Sequence, residues 1–472
     1  MMRRALLILV MALLSSLGAQ AQSTVLVAAG DYLSPEQEKA ELDQRLSRQL
    51  ESLRLSEGVV VAKAARLNAA ALLANVVKFT TPSGHEHTLT KVRGTELPQS
   101  ARIWSGTTEY GGVASFHVKA NEVVGDIDDH SGTIYRVVSS GRYHLISEIN
   151  IARFRRDQGN DVLQMPGLGK SSKRAYGEVQ ALLGIPVVDV LVLYTSMAKT
   201  AASDKIDEVI QKSIVDLNSS FVNSGVNLAV RLAAASQIAL WPNPGLETGW
   251  VPTTALNELS GKTGQTNLSY LARRERDRVH ADVVILIGSF KFATECGAAW
   301  GGPAMPEWAF ATVDVKCIGS PYYTLAHEFG HLLGADHNTQ NATTATYVYG
   351  HGANFSWYVN FRSTTVPNGY RCFRTIMAYS YASFGGPPCK VDFRINNWSN
   401  PAIYYTDKAP FTTPAEPDQS YTVATGSGSC CNNARVLNEN GAFASTYSSV
   451  SMLAGYQQLQ VRELVNILLL GP

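Results

Sequence analysis

The chain has no cysteine before Cys296, no excess of charge of either sign and no apolar run long enough to cross a bilayer. Each absence excludes something. Without a cysteine near the N-terminus there is no attachment point for the lipid of a lipoprotein. Lys and Arg number 40 against 39 Asp and Glu, so the chain carries no basic footprint for nucleic acid or for an anionic membrane surface. The apolar run Ala5–Leu14 is broken by Ser15-Ser16, and the final "VNILLL" is shorter still, whereas a membrane span needs about 20 apolar residues. No internal repeat is found.

What is present is core material. Apolar residues make up 45% of the 472 and charged residues 17%, the composition of a globular chain and not of a disordered one. Arg3-Arg4, the short apolar run and Ala19-Gln20-Ala21 follow the order of a cleavable export signal. Residues 1–21 are therefore expected to be a signal peptide, and the product to be secreted with no membrane insertion. Six cysteines (Cys296, Cys317, Cys372, Cys389, Cys430, Cys431) in an exported protein argue for disulfides. Cys296 with Cys317 and Cys372 with Cys389 are the expected local pairs. Adjacent Cys430 and Cys431 are poor partners for each other, because a bond between them strains the intervening peptide.

The rhythm of the chain changes twice. Residues 34–57 read as one helix, with Ser34 and Gln37 as a capping box, Pro35 in the first turn, Leu42, Leu46, Leu50 and Leu53 in one stripe, and Gly58 as the stop. From about Val76 to Ile149 short apolar runs alternate with Gly and Ser, a β-meander pattern. A polar stretch over 155–178 reads as exposed linker. Beyond it the pattern is α/β: Val187–Tyr194 is a buried strand, a helix carries Ile206, Val209, Ile210, Leu217 and Phe221, Val226 to Leu232 alternate as a second strand, a helix covers 266–279, and 282–290 is a third strand. The organisation expected is a β-rich pro-domain with an N-terminal helix over 22–160, a linker over 161–184 and an α/β domain over 185–472.

The chemistry is concentrated in His327-Glu328-Phe329-Gly330-His331-Leu332-Leu333-Gly334-Ala335-Asp336-His337. At 100° per residue His327 and His331 stand 40° apart on a helix, so both imidazoles can face one ion, while Leu325, Phe329, Leu332 and Leu333 take the opposite, dry side. Gly334 can end the helix in the left-handed conformation and bring His337 round as a third ligand. Three imidazoles and one open position form a catalytic zinc arrangement; a structural zinc site closes all four. Glu328, on the cleft side, is the expected general base toward a zinc-bound water. These fixed positions would arise by chance with a probability on the order of 10⁻⁶ to 10⁻⁵ in such a chain, which weighs against incidental histidines on a core helix.

The pattern HExxHxxGxxH is that of the metzincin zinc endopeptidases. With "VVDVLVLYT", "CGAAW", "FATVDVKC", "FRTIMAY" and "NWSNP", the stretch from about 185 to 450 resembles the reprolysin-like group, most of all the bacterial peptidyl-Asp metalloendopeptidases. The resemblance implies a metzincin-like α/β (α+β) domain with a twisted, mixed sheet and a zinc helix, a Met-turn at Met377, one bound zinc, and protein or peptide substrates cut on the amino side of Asp. It also implies a zymogen whose pro-segment is its own intramolecular inhibitor. Many metzincins use a pro-segment cysteine as latch; none is available here, so the leader must use another route, such as a carboxylate near Asp126 to Asp129, or cover the cleft. Tyr379, in Met-x-Tyr, resembles a tyrosine that ligates zinc or stabilises the oxyanion in astacins and serralysins. Gly297 to Trp300 is the expected sheet edge for an extended substrate. Arg374, with Arg371 and Arg394 nearby, is the candidate cation for an Asp side chain. Asn338 departs from the Asp usual after the third His in reprolysins. The remaining histidines, including His85 and His87 on what reads as an exposed strand, are expected to be structural. The competing reading is a secreted adhesin or toxin-like binding protein with a weak or silent zinc site, against which Glu328 argues.

Overall fold

The computed structural model describes residues 24–449 apart from 57, 98–99, 131, 152–160, 165–184, 239–248, 263, 265, 291–294, 302–304, 343–345, 360–368, 382–384 and 409–419. The expected signal peptide, most of the expected linker and the tail from 450 lie outside the described residues. No helix among those described is long and apolar enough to cross a membrane. The chain divides into two compact units, 1–129 with 134–149, and 130–133 with 150–472.

The first unit is built on one nine-stranded sheet. Strands β3 (Val76–Thr80) to β9 (Tyr143–Asn150) run in sequence order, as the meander pattern predicts; β1 (Thr24–Val27) lies outside β3 and β2 (Val59–Ala65) outside β9. The single helix expected over 34–57 is two: α1 (Pro35–Glu41) and α2 (Gln44–Arg54). The capping box at Ser34 forms, with Gln37 N donating to Ser34 Oγ and Ser34 N to Gln37 Oε1. Leu42 then turns extended and Asp43 caps a new helix by accepting from Leu46 N at 2.8 Å, a second start signal that the leucine stripe alone does not reveal. His87 is buried beside Glu109, not exposed.

The second unit is centred on a six-stranded sheet. It comprises β10 (Val162–Gln164), β11 (Val187–Tyr194), β12 (Ala229–Gln237), β13 (Val283–Gly288), β14 (Gly297–Gly301) and β15 (Phe310–Asp314), in the order β10-β14-β15-β13-β11-β12. The pairs are parallel except β14 with β15. Alternate side chains feed two cores, as strand geometry requires: Val188, Val190 and Val192 face α4 (Ile206–Asn223) and α7 (Thr324–Leu332), while Leu191 and Leu193 face α5 (Pro252–Ser260) and α6 (Asn267–Arg278). Both faces being covered explains the near-continuous apolar runs of β11 and β13.

Two features depart from expectation. Residues 162–164, expected to be linker, form strand β10, with Val162 and the preceding Asp161 buried, and this strand, not Gly297–Trp300, is the edge of the sheet among the described residues. All six cysteines are paired: Cys296–Cys317 and Cys372–Cys389 as expected, and Cys430–Cys431 against expectation. The local pairs consume the other four, and the remaining two share a tight turn in which Ser427 and Cys431 exchange backbone hydrogen bonds at 2.9 and 3.0 Å.

Candidate metal centre

The helix α7 begins after Tyr323, whose φ is +51°, and ends where Gly334 adopts φ +93°. Gly334 N donates to His331 O and Ala335 N to Gly330 O, both at 2.9 Å, closing the helix end in the way a left-handed glycine permits. The chain thereby folds back, and His337 arrives beside His331. Leu325, Phe329, Leu332 and Leu333 are buried in the core on the other side.

Each imidazole is oriented by a backbone carbonyl. His327 Nδ1 lies 2.8 Å from Ile376 O, His331 Nδ1 3.0 Å from Ala335 O and His337 Nδ1 3.3 Å from Asn341 O. With Nδ1 as donor, Nε2 is left as a lone-pair ligand, the tautomer that metal-binding histidines need. The three Nε2 atoms converge, 3.2, 3.2 and 3.0 Å apart. Zn–N bonds of about 2.0–2.1 Å in tetrahedral geometry place ligand nitrogens about 3.3 Å apart, so the triad fits zinc. His327 and His331 are shifted below the ordinary imidazole range, by burial first, which favours the neutral form that coordinates a metal.

A fourth group completes the cluster: Asp161 stands with His327, His331 and His337, all four buried. Its Oδ2 is 3.2 Å from His327 Nε2 and its Oδ1 2.9 Å from His337 Nε2. Burial pushes this carboxyl up, but His337 and His327 hold it well below its ordinary range. Conversely, burial pushes His337 down and Asp161 more than offsets it. The sequence holds only a faint trace of Asp161, the apolar pair Val162-Leu163 after it in a polar stretch. In the first unit Asp126 accepts from Arg136 and Asp129 from Tyr135.

Glu328 is buried beneath β14. A Cβ on Gly297 would meet its Oε1 at 2.4 Å and its Cγ at 2.8 Å, so the carboxylate occupies the space a side chain at 297 would fill. Trp300 points the other way, into the core beneath the sheet, with Lys262 over its ring at 4.4 Å. Only its backbone, paired with Leu163, is available to an extended peptide.

Met377 lies against the helix at Gly330: a Cβ there would meet its Sδ at 2.6 Å and Trp398 at 2.7 Å. Tyr379 stacks on His337 with ring centroids 4.1 Å apart and donates from Oη to Asp161 Oδ1 at 2.6 Å. Asn338, the departure from the reprolysin pattern, accepts from Tyr379 N at 3.0 Å and donates to Gln340 Oε1 and Asn341 Oδ1. It ties the loop of the third histidine to the Met-turn.

Arg374 ends β17 (Gly369–Arg374) and Arg394 ends β18 (Cys389–Arg394); the two are direct register partners. Both are buried and both donate to Ala378 O, at 3.2 and 3.4 Å. Arg374 also stands 3.4 Å from Asp392, whereas the charge of Arg394 reaches His327. Arg371 is remote from this pair in function: it is bidentate to Asp407.

Three imidazoles that could hold a metal beside a buried glutamate, set against an α/β sheet, make an arrangement suited to a metallopeptidase. Residues 186–399 of the chain match the reprolysin-type model of metallo-peptidase family M12. Among its relatives is a peptidyl-Asp metalloendopeptidase of Stenotrophomonas maltophilia strain R551-3, 31% identical over 288 residues that make up 60% of this chain and 62% of that one. The enzyme of the same name from strain K279a is 29% identical over 66% of this chain and 72% of its own. The chain thus matches less than two thirds of the first relative's length. A solved structure of metalloproteinase-II from Bacteroides fragilis aligns over 58% of this chain and 85% of that one, at 15% identity and a TM-score of 0.35.

Proposed function

We propose that the chain is the precursor of a secreted zinc endopeptidase that cuts peptide bonds on the amino side of Asp. The observation that carries this reading is the convergence of three Nε2 atoms about 3 Å apart next to the buried carboxylate of Glu328. His327, His331 and His337 would hold the zinc, which when bound polarises the scissile carbonyl and acidifies water. Glu328 takes the proton of the attacking water and passes it to the leaving amine. Tyr379, its hydroxyl already aimed at a carboxylate oxygen among the histidines, donates to the carbonyl oxygen as negative charge develops there. The backbone of Gly297–Trp300 aligns the peptide by strand addition.

The preference for Asp rests on the name of the relatives and on the paired arginines. Two guanidiniums side by side at one carbonyl are unfavourable neighbours unless an anion joins them. Arg374 and Arg394, register partners on adjacent strands, are together the candidates to receive a substrate carboxylate. Digestion of a proteome-derived peptide library by the processed protein, with and without chelator, tests the whole reading. The expected outcome is chelator-sensitive cleavage with Asp after the cut, and an Arg394→Gln enzyme that loses this preference. Cleavage before apolar residues would remove the Asp assignment, and no cleavage would remove the peptidase.

A further inference from the structure

A zinc centre that hydrolyses peptides keeps one position open, and one with four protein ligands is closed. Here four candidate ligands stand together: the carboxylate of Asp161 lies 2.9 Å from His337 and 3.2 Å from His327, where it would close the centre. A closed centre beside a buried glutamate that has work only in an open one is a contradiction, unless one of the four ligands can leave. Three belong to a single motif on a helix and its following turn. The fourth lies far upstream.

The same few residues cover the other parts of the site. Asp161 O accepts from Ala299 N at 3.0 Å, and Val162, Leu163 and Gln164 pair with Ala299, Trp300 and Gly301. The strand edge proposed for substrate is therefore taken by the chain itself. Tyr379 Oη, proposed for the developing oxyanion, is spent on Asp161 Oδ1 at 2.6 Å. One stretch of four residues thus engages metal position, hydrogen-bonding edge and oxyanion donor together.

We propose that Asp161 is the latency ligand of the precursor: its carboxylate closes the metal centre, residues 161–164 fill the peptide edge of β14, and cleavage after this segment lets both leave. This inference rests on the peptidase reading. The exchange makes and breaks no bond to carbon at the metal; a carboxylate departs and water replaces it. The covalent event is peptide hydrolysis elsewhere in the chain, which consumes one water. It also accounts for a leader without cysteine, since a carboxylate does the work of the absent thiolate.

The test uses the full chain carrying Glu328→Gln, which prevents self-processing, loaded with cobalt(II). Changing Asp161 to Ala in that background should alter the visible cobalt spectrum and raise the affinity for a peptide hydroxamate roughly tenfold or more, the usual scale of such coupling. Asp161→Glu, which retains a carboxylate, should restore much of the original spectrum. If the Ala variant does not fold, Asp161→Asn replaces it with the same expectation. With Glu328 intact, the Asp161→Ala full chain should hydrolyse peptides before any cleavage. Unchanged spectrum and hydroxamate affinity would overturn the latch while leaving the peptidase reading intact. An altered spectrum and hydroxamate binding without hydrolysis, even after processing, would uphold the latch and reject the peptidase.

Discussion

Gly297 and Glu328 show how closely the chemistry depends on single atoms. A methyl group at 297 would stand 2.4 Å from Glu328 Oε1, a distance that real Cβ atoms do not tolerate, so Gly297→Ala is expected to push the carboxylate aside. Displacement of a catalytic group by about 1 Å can lower a rate roughly 10²-fold; kcat should fall on that scale while metal content is unchanged. If Glu328 carries the proton as proposed, Glu328→Ala is expected to lower kcat by about 10² to 10⁴, again with metal retained, as elemental analysis of the purified protein would show. The histidines were legible in the sequence because i,i+4 spacing and a following glycine are local facts that fix local geometry. Glu328 was legible for the same reason. Asp161 was not, because nothing near it in sequence relates it to the histidines; only strand pairing brings it there.

At the scale of elements, the loop after α7 and the Met-turn are joined through Asn338. Its amide accepts from Tyr379 N and donates to Gln340 and Asn341, all at 3.0 Å. Asn338→Ala leaves buried Tyr379 N without that acceptor, a loss of about 1–3 kcal/mol. A lower thermal midpoint and a weakened kcat are expected together. Asn338→Asp keeps the acceptor and forfeits the two donations, so it should fall between. In the second unit β11, α4, α6 and β13 were readable because their apolar periodicities were long, whereas α5 was not foreseen. The split between α1 and α2 was missed because both carry leucines in the same stripe and the break lies in one extended residue, Leu42. Strand β10 was missed because three residues are too few for any periodicity. The side chain of Trp300 faces the core beneath the sheet because alternation along a strand decides the face, and sequence alone does not say which face holds the helix.

For the molecule as a whole, the change of rhythm near residue 180 separates a β-rich N-terminal region from an α/β one, while the second compact unit takes in 130–133 and 150–472. Composition could not reveal that shift, because a polar stretch with one short strand reads as polar throughout. Strand β14 is a middle strand only while residues 161–164 remain in place. Once they depart, Ala299 N and its neighbours lose their partners, and an unpaired strand margin is an invitation to any other chain. Activation would then trade a colloidally quiet protein for an adhesive one. Processed enzyme stored without peptide should self-associate with rising concentration, as light scattering would record, whereas the intact chain should not; a short peptide inhibitor added to the processed enzyme should disperse it again.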